Sequence, residues 1–96
     1  MVQITIKYFA NIKEVTKIKE EIMEFNDGAT INTLLESIFK KYNLKKIILD
    51  ENDEINSYIN ILRNGRNIKY IDGKNSILSD KDVISFFPPV AGGAGG

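Results

Sequence analysis

The chain has no cysteine and no histidine, and its only two prolines stand side by side near the carboxyl end. Without cysteine there is no disulfide, no iron–sulfur ligation, no thiolate zinc site and no cysteine nucleophile. Without histidine the usual general base and the usual imidazole metal ligand are missing as well. An excess of charge of either sign is also lacking, since 13 Lys and Arg balance 13 Asp and Glu. A general nucleic-acid binder carries a basic excess or stripe, so nucleic acid is not an expected partner. No apolar run approaches the roughly 20 residues of a membrane span, so no membrane partner is expected either. The opening Met1-Val2-Gln3-Ile4-Thr5-Ile6-Lys7 alternates instead of forming a signal-peptide core, which predicts a cytoplasmic protein. An enzyme built from this chain alone would depend on carboxylates, lysines or tyrosines. Stand-alone catalysis is the least favoured reading.

What is present suffices for one core. The 96 residues are 43% apolar and 27% charged, the balance of a single globular domain. Val2, Ile4, Ile6 and Tyr8 alternate with polar residues, which predicts a half-buried first strand. A polar connection follows through Asn11, Ile12, Lys13 and Glu14. A second strand is expected over about 17–25, with Met23 and Phe25 on one face and Ile18 and Ile22 on the other. Either a bulge or a sparsely covered outer face accounts for that mixed parity. Antiparallel pairing of these two strands is the simplest topology.

Asn26-Asp27-Gly28-Ala29 predicts a turn, with Thr30 as the N-cap of a helix. Ile31, Leu34, Leu35, Ile38, Phe39 and Tyr42 then form an apolar stripe at helical spacing. Residues 43–57 predict a short helical turn and a mobile loop. Asp50, Glu51, Asp53 and Glu54 lack the spacing and the sixth-position glycine of a calcium loop, so they read as solvated acids. A third strand is expected over Tyr58–Arg63, a hairpin turn at Asn64-Gly65 and a return strand over Asn67–Ile71. Asp72-Gly73 and Ser79–Asp82 read as turns. Val83–Phe87 is apolar on both faces and predicts a last strand that is either central or covered. Two strands, a helix and three short strands give an α+β roll, a mixed sheet of four to five strands around one main helix.

The last nine residues are Pro88-Pro89-Val90-Ala91-Gly92-Gly93-Ala94-Gly95-Gly96. The division is therefore a domain over 1–87 and a flexible tail over 88–96. Two prolines end the ladder and stiffen the base of the tail. Glycines without Cβ atoms can thread a channel too narrow for any other residue.

Phe86-Phe87-Pro88-Pro89-Val90-Ala91-Gly92-Gly93 closely resembles the carboxyl end of the small subunit of molybdopterin synthase, in the MoaD/ThiS sulfur-carrier family. Phe9-Ala10 followed by Lys13-Glu14, Gly28-Ala29-Thr30 before Leu34-Leu35, Asn64-Gly65 and Asp82-Val83 agree with the resemblance, which covers nearly the whole chain. It implies the ubiquitin-like β-grasp fold. It also implies that the partners are the enzymes. A ubiquitin-activating-type adenylating enzyme would spend ATP to turn the terminal glycine carboxylate into an acyl-adenylate. Sulfur would then displace AMP to leave a thiocarboxylate, and no cofactor would be bound by the chain itself. The large subunit of molybdopterin synthase would receive the tail, residues Val90, Ala91, Gly92, Gly93, Ala94 and Gly95 lying in its active site. Phe9, Lys13, Phe87, Pro88 and Pro89 are the implied partner interface, with Phe86 in the core.

One departure from the family bears on the chemistry. Its members usually end at the diglycine that aligns with Gly92-Gly93, whereas Ala94-Gly95-Gly96 continue here and add roughly 10 Å of reach. Gly96 is the expected reactive end, with Gly93 the alternative if the last three residues are removed. Arg63 stands where the family more often has an aliphatic residue, and it either snorkels along the sheet or marks a different partner face. Two further functions compete: a ubiquitin-like modifier joined through its terminal glycine to lysines of target proteins, and a non-covalent β-grasp binding module with an inert tail.

Overall fold

The computed structural model describes residues 1–88. The first strand, β1 (Val2–Tyr8), buries Val2, Ile4, Ile6 and Tyr8 and turns the alternate residues outward, as its period-2 pattern predicts. A short helix, α1 (Ala10–Thr16), stands where the sequence predicted only a polar connection. It is about two turns long, with one fully buried apolar anchor, so no periodic stripe announced it. Ile12 is fully buried, and the buried Thr16 hydroxyl donates to the Ile18 carbonyl at 2.7 Å to end the helix. Lys17 then reverses the chain in the left-handed region at φ 68°.

Strand β2 (Glu20–Phe25) pairs antiparallel with β1 in unbroken register, from Val2 opposite Phe25 to Lys7 opposite Glu20. The mixed parity of Ile18 and Ile22 is thus a sparse outer face and no bulge, and Ile22 is 60% exposed. The main helix, α2 (Ile31–Lys41), begins at the predicted cap. Thr30 accepts the Thr33 N–H, and the Thr33 hydroxyl accepts the Thr30 N–H, satisfying two helix-end donors reciprocally. Ile31, Leu34, Leu35 and Ile38 pack into the core, while Phe39 and Tyr42 border it.

A single turn, α3 (Lys45–Ile48), buries Leu44 and Ile48 and realises the predicted helical turn. The acidic loop after it is folded on itself. Asp50 Oδ1 accepts the N–H groups of Asn52 and Glu54, and Leu49 bridges Ile55. Strand β3 (Asn60–Arg63) is shorter than the sequence predicted, because the Asn56 side chain accepts the Tyr58 N–H and holds the preceding residues in a turn. The return strand, β4 (Arg66–Asn67), is shorter still. Asn67 Oδ1 accepts the Lys69 N–H, starting a 3₁₀ turn over Ile68–Tyr70 that buries Ile68 and leaves Tyr70 in solvent. A second 3₁₀ turn, Gly73–Asn75, occupies the predicted turn at Asp72-Gly73. Between β3 and β4, Asn64 (φ 50°) and Gly65 (φ 87°) form the two-residue hairpin with both residues left-handed.

The last strand, β5 (Val83–Phe87), runs parallel to β1 and antiparallel to β3, so the sheet order is β2-β1-β5-β3-β4. Its central position explains its apolar character. The sheet's inner face packs on α2 with Ile4, Ile6, Tyr8, Ile61, Ile84 and Phe86 all buried. The five-stranded mixed sheet around one main helix is the predicted α+β roll. Among the described residues no helix is long and apolar enough to cross a membrane.

Candidate functional site: the root of the tail

Because β1 and β5 are parallel and aligned Tyr8 to Phe86, both chains leave the sheet at one end, side by side. The next residues, Phe9 and Phe87, point to the outer face by strand parity, and their rings stack at 4.2 Å between centroids with 10° between planes. Phe9 is held from its own backbone, since its carbonyl accepts the N–H groups of Ile12 and Lys13 at the start of α1. Phe87 is aligned with Asn60 across the β3 ladder. Phe9 is 36% exposed, while Phe87 and Pro88 are half-buried. Phe86, of the opposite parity, is fully buried, as the sequence predicted.

Beside the aromatic pair lies a hollow of about 280 Å³ lined by Lys7, Tyr8, Phe9, Ala10, Lys13, Lys19 and Glu20. Lys13 reaches it from α1, while Lys7 and Lys19 come from β1 and the segment before β2. Among the described residues none of these three ammonium groups makes an ion pair or a side-chain hydrogen bond. The structure thus brings Phe9, Lys13, Phe87 and Pro88 together at one end of the sheet. Pro89, Val90, Ala91, Gly92, Gly93, Ala94, Gly95 and Gly96 lie outside the described residues. Lys7 and Lys19 were not singled out from the sequence, because only the pairing of β1 with β2 makes neighbours of them.

The floor of the site is fixed from the core side. The Tyr8 ring is stacked near Phe86, with centroids 6.0 Å apart, and meets Tyr42 edge-on at 5.7 Å. The hydroxyls of Tyr8 and Tyr42 both donate to Glu21 Oε2, at 2.7 and 2.8 Å, and Lys41 Nζ donates to Glu21 Oε1. One carboxylate therefore ties β1, β2 and the end of α2 together. Burial pushes the Glu21 carboxyl up, but the bonds from Lys41, Tyr8 and Tyr42 outweigh it and hold the group below its usual range. Burial first, and then the carboxylate beside it, push the Tyr8 hydroxyl far above its ordinary value. The hydrogen bond to Glu21 raises Lys41. The parity of Glu21 with Met23 and Phe25 was the available signal for this half-buried acid.

Arg63 does not snorkel freely. Its Nε donates to Asp82 Oδ2 at 2.9 Å and its Nη2 to the Ser79 hydroxyl at 3.0 Å. Asp82 also accepts from Asn64 Nδ2 and from the Ser79 N–H, joining the hairpin turn to the start of β5. Among the described residues no group of three acids is placed to hold a metal ion.

Comparison with known proteins gives the family and the fold. Residues 6–93 match the ThiS family. The chain is 35% identical over 91 residues to small archaeal modifier protein 3 of Haloferax volcanii, covering 95% of this chain and 99% of that one. It is 35% identical to the small archaeal modifier protein 1 of Methanosarcina acetivorans, whose structure matches with a TM-score of 0.82 over 97% of this chain and 98% of that one. A Pyrococcus furiosus structure provisionally described as molybdopterin converting factor subunit 1 is 32% identical, with a TM-score of 0.74 over 94% of this chain and all of that one. The fold, the paired aromatics at the root of a Pro-Pro segment and the match from strand β1 through Gly93 lead to one conclusion: the chain belongs to the ThiS family of ubiquitin-like β-grasp proteins.

Proposed function

We propose that this protein is a carrier activated at its C-terminal carboxyl. An adenylating enzyme of the ubiquitin-activating type would join the Gly96 carboxylate to ATP, releasing pyrophosphate and leaving an acyl-adenylate. A carboxylate is a poor electrophile until its oxygen becomes part of a good leaving group. A sulfur nucleophile then displaces AMP, and the resulting thiocarboxylate is the sulfur donor for a molybdopterin synthase large subunit. The observation that carries this reading is the stacked Phe9–Phe87 pair at the root of the Pro88-Pro89 segment. An aromatic platform of that kind is what a docking enzyme grips while the tail enters its active site. The absence of His and Cys is no obstacle, because the reacting atom is the carboxyl group of the tail.

A second outlet for the same activated carboxyl is an isopeptide bond to lysines of target proteins. It is favoured by the modifier names of the two relatives that share 35% identity over nearly their whole length. The family match ends at residue 93, which keeps Gly93 as the alternative reactive end after trimming. Pyrophosphate exchange with the host's adenylating enzyme tests the common step. The whole chain should support exchange, and a chain ending at Ala91 should not. No exchange by the whole chain, with an enzyme shown to be active, would overturn the proposal and leave the non-covalent binding module in its place. Addition of a sulfur donor, or of an extract containing target proteins, then separates the two outlets.

A further inference from the structure

The sheet has two edges of very different kinds. At one, β4 is two residues long and runs into a 3₁₀ turn. At the other, β2 presents six residues whose only strand partner among the described residues is β1. Three hydrogen bonds fix which way its backbone points. The Tyr8 N–H donates to the Lys19 carbonyl, whereas the Thr5 N–H and the Gln3 carbonyl are used on the opposite side, by Asp82 and Lys81. In an antiparallel ladder the inward and outward pairs alternate. Glu21, Met23 and Phe25 therefore bond to β1, and the N–H and C=O groups of Glu20, Ile22 and Glu24 point away from the sheet. The side chains of these same three residues stand on the outer face and are exposed.

We infer that this edge accepts an extended segment of a partner protein as a sixth strand, and that the segment is basic. An edge with free backbone groups is a template for strand addition. The side chains select the occupant. A second copy paired antiparallel about Ile22 would set Glu20 against Glu24 twice, and like charges directly opposite destabilise a pair. Glu20 and Glu24 make no ion pair among the described residues, although Lys7 stands opposite Glu20 on β1 and Gln3 opposite Glu24. A segment with a cation, an aliphatic residue and a second cation at alternate positions would meet Glu20, Ile22 and Glu24 in register. Glu20 also lines the hollow beside Phe9, but strand addition needs no chemistry of the tail, so the edge would recruit partners whether or not the tail is activated.

The test is a titration of the isotopically labelled chain with a capped peptide Thr-Lys-Thr-Val-Thr-Lys-Thr, followed by amide resonances and hydrogen exchange. Shifts and new protection are expected at Glu20, Ile22 and Glu24. A Glu20→Lys/Glu24→Lys variant, changed only on the surface, should bind about tenfold more weakly, as expected for reversing two cross-strand ion pairs. The same variant should bind the peptide with Glu in place of Lys. Shifts confined to other residues, equal affinity of the wild-type chain for both peptides, or no response at millimolar peptide would overturn the inference. So would β2-edge dimerisation of the free chain.

Discussion

Adjacent phenylalanines on β5 should answer to truncation in opposite ways. Phe86 is fully buried beside Tyr8, so Phe86→Ala should cost about 3–5 kcal/mol, the range for a large core cavity. Phe87 is half-buried on the outer face and its aromatic partner is Phe9, and a stacked pair contributes about 0.5–1.5 kcal/mol. Phe87→Ala should therefore cost only about 1 kcal/mol. For a domain of this size each kcal/mol lowers Tm by about 4–8 °C. Phe87→Ala should thus stay folded at 25 °C, while Phe86→Ala loses a large share of a total stability of about 5–15 kcal/mol. A double-mutant cycle with Phe9→Ala should return the stacking energy as a coupling of about 1 kcal/mol. The functional consequence runs the other way. If Phe87 is a docking anchor worth about 2 kcal/mol, Phe87→Ala should lower kcat/KM for adenylation about 30-fold without melting the fold. Thermal unfolding and pyrophosphate exchange on the same preparations give both numbers. Equal destabilisation by the two substitutions, or a folded Phe87→Ala protein with an unchanged adenylation rate, would refute the reasoning.

Three further expectations concern the scaffold. The Glu21 carboxyl is held below its ordinary value, so its contribution is present above the unfolded pKa near 4.5 and lost as pH falls through the folded one. Glu21→Gln should cost about 1 kcal/mol at pH 7, and urea titrations from pH 7 to 3 should show the gap to wild type closing at the acid end. A gap that stays constant would show that the charge is not what matters. Asp82→Ala removes the acceptor shared by Arg63, Asn64 and the Ser79 N–H and should cost about 2–3 kcal/mol by chemical denaturation. A loss below about 0.5 kcal/mol would mean that water replaces the whole network. Thr30→Ala breaks the capping box of α2 and should cost about 1 kcal/mol, read by the same method, with Thr30→Ser restoring most of it.

The elements with strong periodicity were legible in the sequence, and those set by single side chains were not. Strand β1 and helix α2 each show several apolar residues at one spacing, and both stand where that spacing puts them. The apolar residues on both faces of β5 left it either central or covered, and the strand order makes it central. Helix α1 was missed because Ile12 is its one deeply buried apolar anchor. The strands around the hairpin were overdrawn because Asn56 and Asn67 divert the backbone into turns with their own side chains. At the root of the tail, parity alone separated Phe86 from Phe87, and the resemblance pointed to Phe9 and Lys13. The stacking of Phe9 on Phe87, and the gathering of Lys7 and Lys19 around it, depend on strand pairings between residues far apart in the chain.

The most direct measurement is the intact mass of the whole chain after incubation with its host's adenylating enzyme, ATP and a sulfur donor. Exchange of one oxygen for one sulfur, placed by fragment ions on Gly96, is the predicted result, and placement on Gly93 would assign the chemistry to a trimmed form. An unchanged mass, with no adenylate trapped from an enzyme shown to be active, would contradict activation of the tail.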